Sequence, residues 1–269
     1  MRFKSLAIVA ALVLGLASSA FAGEKVTIKG STTVLPIMQR AVEAFMKKHP
    51  DVTIEVSGGG SSNGIKALLD GTTDIAMASR QMKDKEVALA SEKGIKATEI
   101  VIAFDAVVPI VNPANPVANL TADQLKGIYE GKITNWKEVG GNDAPIVVIS
   151  RDTSSGTYET WEGKIMKGAR VFPGALLQAS SGAVLQAVSK NPKAIAYDGL
   201  GYVNDSVHAV KVDGVAGSAE SAKSNTYKIA RSLQIYVNGE PAGPTKALVE
   251  FILSPEGQKI VEETGFIKM

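Results

Sequence analysis

Apolar and polar positions alternate along this chain in two rhythms, one of strands and one of helices. Residues 25–29 form a short strand candidate. Val34, Ile37, Met38, Ala41, Val42 and Phe45 then recur at the spacing of one helix face, with Pro36 in the first turn and His49-Pro50 ending the run. Val52, Ile54 and Val56 alternate as in a half-buried strand. Gly58-Gly59-Gly60 turns the chain into a second helix that carries Ile65, Leu68 and Leu69 and closes at Gly71, and residues 74–78 read as another strand. Two βα units in succession predict a parallel α/β sheet whose ligand edge lies at the C-terminal ends of its strands.

Residues 100–111 are a long apolar run, one or two buried strands, punctuated by Asn112-Pro113-Ala114-Asn115-Pro116. Residues 120–129 predict a helix capped by Thr121, 132–141 a loop around Trp136, and 146–149 a strand running into Arg151. A helix over 183–188, a short buried strand over 194–197 and a turn at Gly199-Leu200-Gly201 follow. Residues 204–226 are polar and small and read as a surface connection. Residues 230–238 read as a strand, with a final helix pair over 245–253 and 257–264. The strand-type passages near 101–111 and 230–238 are suited to connect two lobes.

Four clusters of hydroxyl residues with glycine precede helix-like runs: Gly30-Ser31-Thr32-Thr33, Ser61-Ser62-Asn63-Gly64, Ser154-Ser155-Gly156-Thr157 and Ser180-Ser181-Gly182. Each can cap a helix start and offer backbone N–H and hydroxyl donors. One such turn marks a cap. Several, with Arg151 beside the third, suggest donors converging on a tetrahedral oxyanion, because an arginine fork bonds two oxygens at once and a helix start adds positive charge. Alone, Arg151 would read as a surface arginine before a capped helix. Ser79-Arg80 closes a predicted strand at its ligand-facing end, so Arg80 is either a second anion ligand or a surface residue. Asp74, Trp136, Trp161 and Tyr158 read as structural.

Gly60-Ser61-Ser62-Asn63-Gly64 also fits Gly-x-Ser-x-Gly between a strand and a helix, the setting of a hydrolase nucleophile. A triad would need an acid and a histidine after Ser62. Only His49 and His208 exist, and only His208 follows, in a polar stretch. A hydrolase would account for one hydroxyl turn and leave three. No catalytic residue, metal site or cofactor is therefore expected; two distant histidines without an acidic spacing motif do not make a metal centre.

Composition narrows the setting. Residues 1–22 read as a secretory signal: Arg2 and Lys4, an apolar stretch from Leu6 to Leu16, and Ala20-Phe21-Ala22 as cleavage site. The apolar stretch is short for a span of roughly 20 residues. Cleavage would leave a chain from Gly23 outside the cytoplasmic membrane, in the periplasm. There is no cysteine, which excludes disulfides, thiolate metal sites and cysteine nucleophiles. Without Arg2 and Lys4, 27 basic residues face 27 acidic ones. No basic stripe suggests nucleic acid. The length suits one large or two modest domains, and an apolar fraction of 45% supports a filled core.

Taken together, these stretches resemble the periplasmic phosphate-binding proteins of Pst-type ABC transporters, the PstS family, and especially its shorter members. The resemblance runs over essentially the whole mature chain. It rests on Gly30-Ser31-Thr32-Thr33-Val34-Leu35-Pro36, Gly59-Gly60-Ser61-Ser62-Asn63-Gly64, Asp74-Ile75-Ala76-Met77-Ala78-Ser79-Arg80, and Val111-Asn112-Pro113-Ala114-Asn115-Pro116 with Leu120-Thr121. Gly131-Lys132-Ile133-Thr134-Asn135-Trp136, Arg151 with Ser155-Gly156-Thr157, and Leu253-Ser254-Pro255-Glu256-Gly257-Gln258 complete it.

The resemblance implies a type II periplasmic-binding-protein fold, two α/β lobes joined by two crossover segments with a ligand cleft between them. Residues 23–106 and 231–269 would form lobe 1 and 107–230 lobe 2. Carried over position by position, the resemblance implies phosphate contacts from Thr32 with its neighbouring backbone and Ser61 on one lobe and from Arg151, Ser155, Gly156 and Thr157 on the other; Thr33, Ser62, Ser79 and Arg80 are further candidate ligands beside them. The partners implied are inorganic phosphate and the transmembrane permease subunits of an ABC transporter, with the receptor a monomer. One departure stands out. Longer family members place an aspartate after the third strand to accept the proton of hydrogen phosphate; here Ser79-Arg80 occupies that neighbourhood, so Asp152 or a backbone carbonyl would have to serve. That departure keeps sulfate, molybdate and tungstate open as ligands. Ser180-Ser181-Gly182 has no counterpart in the implied site and reads as an ordinary helix cap.

Overall fold

The computed structural model describes residues 24–269; the expected signal segment lies outside them. The first βα units form as their periodicity predicts: β1 (Glu24–Gly30), α1 (Leu35–Lys48), β2 (Val52–Ser57), α2 (Ser61–Leu69) and β3 (Ile75–Ala78). The apolar stripe of α1 buries Ile37, Met38, Ala41, Val42 and Phe45. The helix ends at His49, whose ring stacks on Phe45 with centroids 4.2 Å apart. β1 lies between β2 and β3, parallel to both.

After α3 (Asp84–Glu92) comes β4 (Ala97–Val111), a single 15-residue strand where one or two were expected. Its length lets it serve two neighbourhoods. Residues 97–106 run antiparallel to the late strand of residues 230–238, and residues 107–111 run antiparallel to the strand of residues 194–199. The rest of the middle segment is β5 (Asn119–Leu120), α4 (Ala122–Tyr129), β6 (Val147–Arg151), α5 (Gly156–Trp161), β7 (Leu176–Gln178), α6 (Ser181–Ser189) and β8 (Ala194–Gly199). Thr121 caps α4 as expected, its hydroxyl accepting from the Gln124 N–H at 3.0 Å.

The stretch 204–226 departs from a plain surface connection. It holds β9 (His208–Ala209), β10 (Lys211–Val212) and α7 (Ala219–Lys223), and Val207, Val210 and Val212 are buried. Single valines spaced through polar residues gave no periodic signal, yet each reaches the core. β11 (Ala230–Asn238), α8 (Gly243–Leu253) and α9 (Pro255–Glu263) then return to the first lobe.

The main sheet runs β2-β1-β3-β11-β4-β8-β6-β7, with β9 beside β4. Apolar packing on it is divided. One core gathers Val26, Ile28, Phe45, Ile75, Leu233, Ile252 and their neighbours, with a satellite under α2 and α3. A second gathers residues from Ala106 to Ile229, including Trp136, Trp161 and Tyr197. The two α/β lobes are joined where β4 passes from one core to the other and where the chain enters β11, and the strand ends of both lobes face a shared cleft. Among the described residues no helix is long and apolar enough to cross a membrane.

Candidate functional site

The hydroxyl turns stand at the C-terminal ends of parallel strands, where strand-to-helix connections leave N–H groups and short polar side chains at the cleft. Ser31–Thr33 follows β1, Ser61 opens α2 after β2, and Ser79 follows β3; across the cleft, Arg151 ends β6 and Ser155–Thr157 opens α5. Thr32, Thr33, Ser61, Ser79, Arg151, Ser155 and Thr157 are all buried.

Arg151 sits at the centre. Its Nη2 donates to the Thr32 hydroxyl of the opposite lobe at 3.1 Å and to the Ala179 carbonyl at 3.3 Å. Nη1 donates to the Ser181 hydroxyl at 3.2 Å, and Nε to the Gln178 carbonyl at 3.1 Å. Every one of these acceptors is neutral. Only 1% of the residue is exposed, and no carboxylate among the described residues lies at ion-pair distance from it. Burial lowers the proton affinity of its guanidinium, against the more distant charges of Asp198 and Asp152. A buried cation among neutral groups is costly unless an anion joins it. Its backbone is held from within the second core: Trp161 stacks on Tyr197 at 4.4 Å and 8°, and the Tyr197 hydroxyl accepts from the Arg151 N–H at 3.3 Å.

Further hydroxyls meet at the same strand ends. Thr33 and Thr157 share a hydrogen bond of 2.9 Å across the cleft, and the Ser61 and Ser79 hydroxyls lie 3.3 Å apart. Gly156 faces that pair so closely that a Cβ there would stand 2.5 Å from Ser61 Oγ and 2.7 Å from Ser79 Oγ. Gly60 is constrained likewise: with φ of 99°, its Cβ would stand 2.5 Å from Ser154 Oγ. Ser155 caps α5, its hydroxyl accepting from the Tyr158 N–H at 3.2 Å.

Among the described residues, the other two arginines withdrawn from solvent are neutralised. Arg231 bonds Asp105 through Nε at 3.0 Å and Nη2 at 2.7 Å. Arg80 bonds both oxygens of Glu86, at 2.7 and 2.8 Å, and contacts Glu159 of the opposite lobe. Burial alone would lower its proton affinity, but the Glu86 bond and the charges of Glu159 and Glu86 outweigh it, so the balance is upward, opposite to Arg151.

A family model described as a PBP superfamily domain matches residues 16–256. The phosphate-binding protein PstS of Borreliella burgdorferi is 36% identical over 255 residues, covering 90% of this chain and 89% of that protein. PstS of Bacillus subtilis is 34% identical over 251 residues, 91% and 81% of the two chains. Among solved structures, a putative phosphate ABC transporter substrate-binding protein with bound phosphate from Clostridium perfringens is 42% identical, with a TM-score of 0.85 over 91% of this chain and 100% of that one. An ABC-type phosphate transport receptor from Vibrio cholerae is 35% identical, with a TM-score of 0.74 over the same shares. This chain belongs to the PstS family. Its fold is the type II periplasmic-binding-protein fold.

Within this PstS-family cleft, two residues expected as ligands stand apart from the Arg151 group. Arg80 turns to Glu86 and Glu159, and the Ser62 hydroxyl accepts from Arg80 at 2.9 Å and donates to Glu159 at 3.1 Å. Both belong to a charged contact between the lobes. Asp152 also has another task, accepting from the Ser154 N–H at 2.8 Å and from its hydroxyl to hold the turn. The fourth hydroxyl turn divides. Ser180 is the cap of α6, accepting from the Ala183 N–H at 3.2 Å, while Ser181 is wholly buried against Arg151. Ser181 thus belongs to the Arg151 group where its turn reads in sequence as an ordinary cap, and Asp198 is not among the residues expected from sequence. An aspartate closing the apolar strand 194–197 at its ligand edge was the signal available.

Proposed function

We propose that this protein is an extracytoplasmic receptor that captures inorganic phosphate in the cleft and delivers it to the permease subunits of an ABC transporter. The observation that carries the reading is the buried Arg151 guanidinium, ringed by neutral hydrogen-bond partners and hydroxyls from both lobes. Phosphate there would complete the charge, taking the fork of Arg151, the N–H groups at the starts of α2 and α5, and the hydroxyls of Thr32, Thr33, Ser61, Ser79 and Thr157 in place of their bonds to one another. The names of the relatives support phosphate as the ligand and a transporter as the partner. The division into residues 23–106 with 231–269, and 107–230, is supported by the separate cores, and the periplasmic location by the signal expected at residues 1–22.

The hydrolase reading finds no support around Ser62. Its hydroxyl is engaged by Arg80 and Glu159, and His208 is exposed on β9. Equilibrium dialysis of the ligand-stripped mature protein against labelled phosphate tests capture, and deletion of the gene tests transport. Stoichiometric retention with reduced phosphate uptake in the deletion strain is expected. No retention at micromolar phosphate refutes capture, and unchanged uptake refutes delivery.

A further inference from the structure

β8 ends in a carboxylate behind the Arg151 group. Asp198 is wholly buried. Its Oδ1 accepts from the Ser181 hydroxyl at 2.7 Å and from the Gly199 N–H at 2.8 Å; its Oδ2 has no hydrogen-bond partner among the described residues. Ser181 has a single hydroxyl proton and gives it to Asp198, so it presents a lone pair to Arg151 Nη1 at 3.2 Å. The direction of this relay is therefore set: Arg151 donates to Ser181, which donates to Asp198. The Ser181 N–H also donates to the Thr32 hydroxyl at 3.3 Å, the same oxygen that Arg151 Nη2 holds from the other side. One hydroxyl thus ties the aspartate to the aim of the guanidinium.

The charged and titratable groups around Asp198 are Arg151 on β6, Arg231 on β11, Asp105 on β4, Tyr202 in the turn after β8, and its neighbour Tyr197. Arg231 is committed to Asp105, whose Oδ1 is filled by the Leu200 N–H at 2.9 Å. Asp105 has partners on both oxygens and Asp198 on one. Arg151 is consequently the cation that Asp198 shares with whatever occupies the cleft. An anion at Arg151 brings negative charge into a buried site beside a carboxylate oxygen with no donor among the described residues. A proton on that oxygen relieves both the repulsion and the missing bond.

We infer that Asp198, acting through the Ser181 hydroxyl, is a positioning residue for Arg151 and takes up a proton when an anion enters the cleft. The inference rests on the proposed function. Burial already pushes the Asp198 carboxyl up to about 6, against the Ser181 bond and the Arg151 charge. At neutral pH the free protein holds it mostly ionised, and added negative charge shifts it towards the protonated form. Anion affinity then rises as pH falls towards 6, beyond any change that phosphate's own ionisation brings.

Calorimetry of phosphate binding at pH 7, in two buffers of different ionisation enthalpy, counts the protons exchanged. Phosphate's own ionisation is common to every variant, so differences between variants isolate the protein. Wild type is expected to take up about one proton more than Asp198→Asn. Ser181→Ala is expected to bind about tenfold more weakly, the effect of losing one bond to a charged group, and to take up fewer protons than wild type, because Asp198 loses the bond that holds its carboxyl down. Equal proton counts in wild type and Asp198→Asn, both still binding phosphate, overturn the proton uptake and leave phosphate capture standing. Wild-type affinity in Ser181→Ala overturns the positioning role. No phosphate binding by wild type overturns the proposed function and this inference together. Carboxyl carbon NMR of the wild-type protein needs no variant: phosphate should move the Asp198 titration upward, and an unmoved titration refutes the inference.

Discussion

Replacing Arg151 by methionine separates a ligand-binding arginine from a structural one. The guanidinium makes four bonds, all of 3.1–3.3 Å and all to neutral oxygens; Asp198, the carboxylate one hydroxyl away, can take a proton when the charge is removed. Methionine fills similar volume without the charge. In the ligand-free protein, removing a buried charge that lacks a partner should be neutral or stabilising, as replacement of buried ionic groups by apolar ones often is, by about 1–4 kcal/mol. In the complex, a desolvated anion loses its charged partner, a loss of about 2–5 kcal/mol. At roughly 1.4 kcal/mol per decade, phosphate affinity should fall about thirty-fold to several-thousand-fold. Thermal unfolding with and without phosphate, joined to calorimetry, reads both effects. The variant should unfold at or above the wild-type temperature without ligand and lose the rise that phosphate gives. Wild-type affinity refutes the assignment. Strong destabilisation of the ligand-free protein would instead make Arg151 a strut of the second lobe.

Arg80→Met should behave in the opposite way. It leaves Glu86 without its cation and Glu159 with only Lys83 at 3.1 Å, so the ligand-free protein should lose about 1.5–3 kcal/mol in denaturant unfolding; an unchanged midpoint would refute the pairing. Gly156→Ala puts a methyl 2.5 Å from Ser61 Oγ and 2.7 Å from Ser79 Oγ, so closure of the lobes should cost about 1–3 kcal/mol and phosphate affinity fall accordingly, with no fall expected if the helix start lies outside the cleft. Asp198 makes stability depend on pH: its folded value of about 6 lies above its unfolded value near 4, so its ionised form destabilises the fold above pH 6 and the cost vanishes below about pH 4. Asp198→Asn should therefore stabilise the ligand-free protein by up to about 3 kcal/mol at pH 7 and by nothing at pH 4; lower stability at pH 7 would contradict the sign.

Much of this arrangement could be read from residue order, because it is local. The stripe from Val34 to Phe45, the alternation from Val52 to Val56 and the turns after β1, β2 and β6 each occupy a few neighbouring residues. Their hydroxyls reach the cleft because parallel strands end there. What escaped was pairing over distance. Whether Arg80 meets an anion or a carboxylate depends on Glu159, which only the packing of α5 against the first lobe brings near. Asp105 inside the apolar run and Arg231 inside a strand are each odd in sequence, and the register that sets them opposite one another explains both. Ser181 looked like one more cap because its neighbour Ser180 is the cap. Val207, Val210 and Val212 are buried one at a time, with no period to betray them.

The central claim is that the charge of Arg151 is completed by phosphate. Isothermal titration of the ligand-stripped mature protein with phosphate, followed by the same titration with sulfate, measures it most directly. The account predicts saturable one-to-one phosphate binding at micromolar concentration or tighter, with sulfate failing to displace it at equal concentration. Absence of phosphate binding, or equal binding of sulfate, would contradict it.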